Sequence, residues 1–352
     1  MSAVRTPQDV WQGAGRRIHM QEVGLRDGLQ MEKVFVPTDE KIALTNALSD
    51  AGLSKIEVTS FTSPTAIPAL KDAEIVMREI QRRPGTVYSA LVPNQRGAER
   101  AIEAHTDELN LVMSVSATHN LANLRMTQAQ SFAALAQVVA MAQGALASPA
   151  SPASPGSPVS GSVAVNVSLS CVFGCPMEGD VPQAAVFDWV QRFVDLGVRG
   201  ITLCDTTGMA YPTQVLQLTA AARARWPEVE FTLHFHNTRG MGLANVLAAI
   251  EAGADRFDAS LGGLGGCPYA PGASGNVCSE DIVHALAWMG YTTGVDLARL
   301  VAVAQRLPAL IGHDIPSQIA KAGPRLALHP VPDDFDAIRD RAQARGTGVV
   351  GG

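Results

Sequence analysis

Short runs of clustered or alternating apolar residues recur along this chain. Each is followed by a longer stretch with the i, i+3, i+4 apolar spacing of an amphipathic helix. The runs predict eight strands, at Ile18–Val23, Lys55–Thr59, Thr86–Val92, Glu108–Ser114, Val163–Leu169, Gly200–Cys204, Glu230–His236 and Arg256–Ser260. Helices are expected at Asp39–Ala51, Ile67–Arg82, Asn94–Ala104, Gln128–Ala147, Pro182–Leu196, Pro212–Ala224, Gly242–Ala252 and Ser279–Trp288. Eight βα units without a second domain make an α/β fold, a single (β/α)8 TIM barrel. The other parallel architecture, an open doubly wound sheet, carries a glycine-rich nucleotide fingerprint after its first strand, and that fingerprint is missing here.

The pattern also divides the chain. Residues 1–17 form an N-terminal extension, 18–312 the barrel domain, and 313–352 a C-terminal tail. Within the barrel, residues 148–162 repeat Ser-Pro and small residues with nothing to bury, so they are expected to form a mobile insertion between the fourth helix and the fifth strand. An extra C-terminal helical segment, Leu297–Leu310, is expected beside the barrel. The stretch from His329 to Gly352 reads as polar and poorly ordered.

Composition narrows the function. With 352 residues, 47% hydrophobic and 5% aromatic, the chain can bury one large core. A net charge of −6 without a basic run, and too few aromatics for a stacking platform, argue against a nucleic-acid partner. No apolar run approaches membrane-spanning length, which argues against a membrane partner. Five cysteines, an odd set in a long chain without a secretory leader, point to reduced thiols and a cytoplasmic location. A short targeting segment within residues 1–17 stays open. So does the oligomeric state, with which a homo-oligomer is compatible.

In a parallel barrel the active site lies at the C-terminal mouth, so polar residues at strand ends are the informative ones. His234 and His236 point to one face of an extended segment and form a candidate metal fork. An isolated pair of this kind is as often structural as metal-binding. Other strand ends break the tie: Glu22 to Gly28 after the first strand, Glu57 to Ser60 after the second, and Cys204 to Gly208 after the sixth. The last unit ends in a run rich in glycine from Gly262 to Asn276, which allows close backbone approach to a ligand and reads as a lid. It carries one thiol, Cys267.

Four motifs together resemble a known family. Gly-Leu-Arg-Asp-Gly-Leu-Gln at 24–30, Ser-Phe-x-Ser-Pro at 60–64, His-x-His at 234–236 and the Cys267 loop at 262–276 are similar to those of the 3-hydroxy-3-methylglutaryl-CoA lyases of the DRE-TIM metallolyase superfamily. The resemblance spans about residues 18 to 312. The Cys267 loop is its most specific part, because condensing enzymes of the superfamily lack it in this form.

The resemblance implies a metal-dependent lyase that splits hydroxymethylglutaryl-CoA into acetyl-CoA and acetoacetate, a reaction of leucine degradation. It makes Asp27, His234, His236 and Asn276 the ligands of a divalent cation, Mg2+ or Mn2+. Two oxygens and two imidazoles suit an octahedral cation with open sites better than zinc. It makes Arg26 the stabiliser of the enolate oxygen, Cys267 the acid that protonates the enolate carbon, and Glu57 and Asp205 support and proton-transfer residues. Arg26, Gln30 and Ser60 become substrate-binding residues, and Glu280 an acidic residue near the site. The first proton acceptor is left open among His236, Asp205 and a metal-bound water.

One departure stands out: the chain reads Asn237-Thr238-Arg239-Gly240-Met241 where better-known members have Asp-Thr-Tyr-Gly-Gln. The acyl-CoA tail is therefore less determined than the reaction, and a lyase for a related 3-hydroxy acyl-CoA is the nearest alternative. A condensing acyltransferase of the isopropylmalate or citramalate synthase kind, and a non-catalytic metal-binding barrel, rank below it.

Overall fold

In the computed structural model, which describes residues 11–145, 163–266, 272 and 274–346, eight parallel strands close into a barrel in chain order. They are β1 (His19–Glu22), β2 (Lys55–Ser60), β3 (Val87–Leu91), β4 (Glu108–Ser114), β5 (Ala164–Ser170), β6 (Gly200–Asp205), β7 (Glu230–Phe235) and β8 (Arg256–Ala259). Because β1 pairs with both β2 and β8, no edge is left to template association. Every predicted strand is present, with ends moved by at most one residue. The fold is a TIM barrel.

The helices depart more, each for a local reason. The stretch expected to be one helix over Ile67–Arg82 is a 3-10 turn at Pro68–Leu70 followed by a short helix at Ala73–Glu79. Pro68 keeps Ile67 out of the helical region, and Asp72 is taken by the Lys41 ammonium at 2.7 Å and the Thr38 hydroxyl at 2.9 Å. The segment expected as Leu297–Leu310 breaks into Leu297–Ala304 and Leu307–Ile311, with Pro308 in the first turn of the second, where a missing N–H leaves nothing unpaired. A helix absent from the apolar pattern, Ala117–Leu124, follows β4 and is capped by the Ser116 hydroxyl, which accepts from the His119 N–H.

The tail requires a correction. From His329 it was expected to lack order, yet Phe335–Gly346 is a helix. It lies exposed and is built from residues of good helix propensity with the Arg339–Asp336 ion pair one turn apart, so polarity alone was the wrong criterion. The N-terminal extension is likewise partly built in. Arg17 bridges Thr292, and the Gly13 N–H donates to the Met289 carbonyl at 2.6 Å. The insertion at 148–162 lies outside the described residues. No described helix is long and apolar enough to cross a membrane.

TIM barrels commonly fill their lumen with branched aliphatic side chains. Here Met20, Ile56, Leu109, Leu111, Val167, Ile201, Leu203 and Phe231 are buried members of the core, while several residues of opposite parity are polar and bond across the lumen. The Gln21 amide of β1 reaches Thr232 of β7, and Lys55 of β2 reaches Glu108 of β4 at 2.6 Å, in each case passing over an intervening strand. The interior beneath the mouth is thus a polar floor.

Candidate active site

The first wall of the site is a tight turn at the end of β1. The Val23 carbonyl accepts the N–H groups of Arg26, at 3.1 Å, and Asp27, at 2.7 Å, and that of Gly28, at 3.5 Å, closes one π-helical turn over Gly24–Gly28. The turn presents Arg26 and Asp27 side by side, with Arg26 Nη1 donating to Asp27 Oδ1 at 2.6 Å. Arg26 Nε donates to Glu57 Oε2 of β2 at 2.5 Å, so the guanidinium is held from two directions. Burial works against the charge on Arg26, but Glu57 and Asp27 outweigh it. Burial likewise acts upward on Asp27, and Arg26 with the two histidines overcomes it, leaving Asp27 at about 2.

Across the mouth stand the two histidines. The rings of His234 and His236 are 5.1 Å apart between centroids, and one donor atom from each of Asp27, His234 and His236 falls within 4.8 Å of the others. His234 Nδ1 lies 3.4 Å from Asp258 Oδ2, its neighbour in register on β8, which leaves the other ring nitrogen for the site. Burial pulls His234 down, but Asp258 and Asp27 reverse this and its pKa is raised. His236 has no such partner: burial and then His234 push it down to about 3, so it is a neutral imidazole, and its Nδ1 is buried without a hydrogen bond.

Asn276 completes the set. Its backbone pairs with His236, an arrangement fixed by hydrogen bonds from Asn237 N to Gly275 O and from Val277 N to Phe235 O. Gly275 sits at φ +94, and a methyl group there would overlap the carbonyl oxygens of Gly263 and Gly265, so only glycine lets the chain return this close. The Asn276 amide nitrogen donates to Asp27 Oδ2 at 2.8 Å and to the Leu264 carbonyl at 2.9 Å. With two acceptors fixing the nitrogen, the amide oxygen is turned the other way, buried and without a partner. A carboxylate, two imidazoles and an amide oxygen, two of them with unsatisfied buried atoms, fit a hard divalent cation.

The other candidate residues each have their own surroundings. Asp205 ends β6 and gives Oδ1 to the N–H groups of Met209 and Ala210 at 2.7 and 3.0 Å, while Oδ2 is buried and unpartnered; burial dominates and raises it to about 6. The Ser60 hydroxyl is engaged with Thr62 at 2.7 Å. Gln30, with an unpartnered amide oxygen, lines a cavity of about 390 Å³ with Lys33, Phe35 and Lys71. Glu280, in the first turn of Ser279–Trp288, is fully buried and accepts the Gly262 N–H at 3.0 Å, tying down the start of the glycine-rich run. Cys267 lies outside the described residues.

Three residues that the sequence reading assigned no role are part of the arrangement. Asp258 orients His234. Asn110 of β4 donates to Glu57 Oε1 at 2.6 Å. Glu22, fully buried, accepts from the N–H groups of Gly24 and Leu261 and from the Ser279 hydroxyl, joining β1 to the last barrel helix. Their one visible signal was polarity inside a predicted strand.

Known proteins resemble this chain over most of its length. Hydroxymethylglutaryl-CoA lyase YngG of Bacillus subtilis is 43% identical over 303 residues, 86% of this chain and 96% of its own. The (R)-citramalyl-CoA lyase of Chloroflexus aurantiacus is 36% identical over 313 residues, covering 86% of this chain and 94% of its own. Among solved structures, an HMG-CoA lyase from A. baumannii, in complex with coenzyme A and 3-methylmalate, superposes with a TM-score of 0.82 at 51% identity, covering 90% of this chain and 98% of that one. The family model described as HMGL-like matches residues 17–307, and the chain belongs to that family.

Proposed function

We propose that this protein is a hydroxymethylglutaryl-CoA lyase, cleaving 3-hydroxy-3-methylglutaryl-CoA to acetyl-CoA and acetoacetate. The observation that carries the reading is the donor set at the mouth: Asp27, His234, His236 and Asn276 converge with Arg26 beside them, and the Asn276 amide oxygen and His236 Nδ1 are buried without partners. Those four residues would hold Mg2+ or Mn2+, whose chemistry there is Lewis-acid polarisation of substrate oxygens.

The chain's own residues supply the rest. Asp205 Oδ2 takes the proton of the tertiary hydroxyl; with Oδ1 anchored in the β6 loop and its pKa raised to about 6, it is poised to accept a proton near neutral pH. As that C–O becomes a ketone, the bond between C2 and C3 breaks and its electron pair moves onto the thioester as an enolate. Arg26 donates to the enolate oxygen, held by Glu57 and Asp27 so that little reorganisation accompanies the charge. Cys267 delivers a proton to C2, giving acetyl-CoA. Gln30 and Ser60 contact the acyl-CoA, and the reduced cysteines fit a cytoplasmic enzyme.

A second substrate reading, a related 3-hydroxy acyl-CoA, is favoured by Arg239, whose Nη1 donates to the carbonyls of Thr207 and Gly208 at 3.1 and 2.8 Å and so sets a cation beside the Asp205 loop. Product analysis with purified protein decides between them. With hydroxymethylglutaryl-CoA and Mg2+, acetyl-CoA and acetoacetate are expected in equal amounts, lost in EDTA and restored by Mg2+ or Mn2+. Turnover of citramalyl-CoA alone would replace the substrate, and full activity in EDTA would overturn the mechanism.

A further inference from the structure

We propose that Asn110 is a positioning residue for cleavage: it holds one oxygen of Glu57 so that Arg26 keeps a free nitrogen for the substrate. This rests on the reading of Arg26 as the donor to the enolate oxygen. A carboxylate beside a guanidinium tends to a bidentate pairing, two parallel N–H···O bonds. Here only Glu57 Oε2 meets Arg26, through Nε at 2.5 Å. Oε1 is taken instead by the Asn110 amide nitrogen at 2.6 Å, and Arg26 Nη1 is taken by Asp27. Among the described residues Arg26 Nη2 has no protein partner. Without Asn110, Glu57 can turn and capture that nitrogen too.

The Asn110 amide cannot flip out of this role. Its oxygen accepts from Asn166 Nδ2 of β5 at 2.9 Å and from the Ser168 hydroxyl at 2.9 Å, so two donors on one side force the amide nitrogen toward Glu57. The second Asn166 proton goes to Thr202 of β6 at 3.0 Å, and Gly200 makes the room, since a methyl group there would stand 2.9 Å from Asn166 Oδ1. A chain of polar groups thus runs across the lumen from β6 to Arg26. Asn110 and Asn166 are both buried, and the chain leaves the Asn110 amide satisfied on both sides.

The test combines kinetics with a direct view of the guanidinium. In protein labelled with 15N-arginine, the Arg26 side-chain resonances are identified by their loss in Arg26→Lys. Asn110→Leu is expected to shift them as Glu57 becomes bidentate, and to lower kcat about 10- to 100-fold with KM within about threefold, because the lost contact forms in the transition state. In the Arg26→Lys background the same substitution is expected to change kcat less than about twofold, since lysine offers no second nitrogen to capture. Ser168→Ala, a milder change that frees the Asn110 oxygen, is expected to act in the same direction by about threefold and carries the test should Asn110→Leu not fold. Unmoved Arg26 resonances, unchanged kcat in Ser168→Ala, or an undiminished effect in the Arg26→Lys background would each overturn the proposal. Full kcat in Arg26→Lys would instead remove the role of Arg26 itself.

Discussion

Asp205 divides its carboxylate between two surroundings, one oxygen fixed by backbone N–H groups and the other buried and free. Burial is the main cause of its upward shift to about 6, so the proton-accepting anion is present above about pH 6 and lost below it. A bound cation nearby favours the anion, so the acid limb of kcat/KM is expected at or below about 6. Asp205→Asn should remove that limb and cost about 100-fold or more in kcat. A limb that persists in the variant would pass the proton to His236 or a bound water. Cys267→Ala, measured at saturating metal, should lower kcat by a similar factor with little change in KM; near wild-type kcat would leave water as the acid. At this scale the sequence was legible in residue type and not in role. Motif position marked Glu280 as an acidic residue near the site, and only the structure shows that it accepts the Gly262 N–H and so anchors the start of the glycine-rich run.

Strand elements were legible almost residue for residue, because alternation and bounding turn residues are written locally. Helix ends were less so. Pro68 and Pro308 reset them, and the cap on Ala117–Leu124 uses a serine that no apolar spacing marks. Pairing between elements decides more than their lengths. Register sets Asp258 beside His234, and a carboxylate on the far nitrogen of a metal-ligating histidine fixes its orientation and raises its basicity. Asp258→Asn is expected to weaken Mn2+ binding about 10- to 100-fold while leaving the far-UV circular dichroism unchanged. An unaltered Kd by calorimetry would make Asp258 only a filler of the lumen.

The whole molecule carries two carboxylates deep under the start of the glycine-rich run, Glu22 and Glu280. Burial, reinforced by the nearby Glu280 charge, raises Glu22 to about 8, and burial raises Glu280 to about 7. Their ordinary value is 4.5, so between that and about pH 8 the folded protein holds protons that the unfolded chain has released. Stability contributed by these groups is therefore fully present below about pH 4.5 and is lost progressively as pH rises from there through 7 to 8. The metal-free protein is expected to show a falling Tm from about pH 5 to about pH 8, and Glu22→Gln should flatten that slope. A Tm that rises over this window would show that the donors around Glu22 hold it ionised.

The barrel, its eight strands and the polar strand ends at its mouth were legible in the sequence alone. Periodicity and strand-end polarity are local properties, and a closed parallel barrel has one mouth to which strand ends can contribute. Only the tertiary structure decided which polar groups answer one another. Glu57 and Asn110 stand 53 positions apart on strands that are not neighbours, and Glu22 and Ser279 stand 257 apart. Such pairs meet because closure of the sheet turns one face of every strand toward a common lumen and brings the last helix against the first strand. That geometry arises from all the strands together and is carried by no segment on its own.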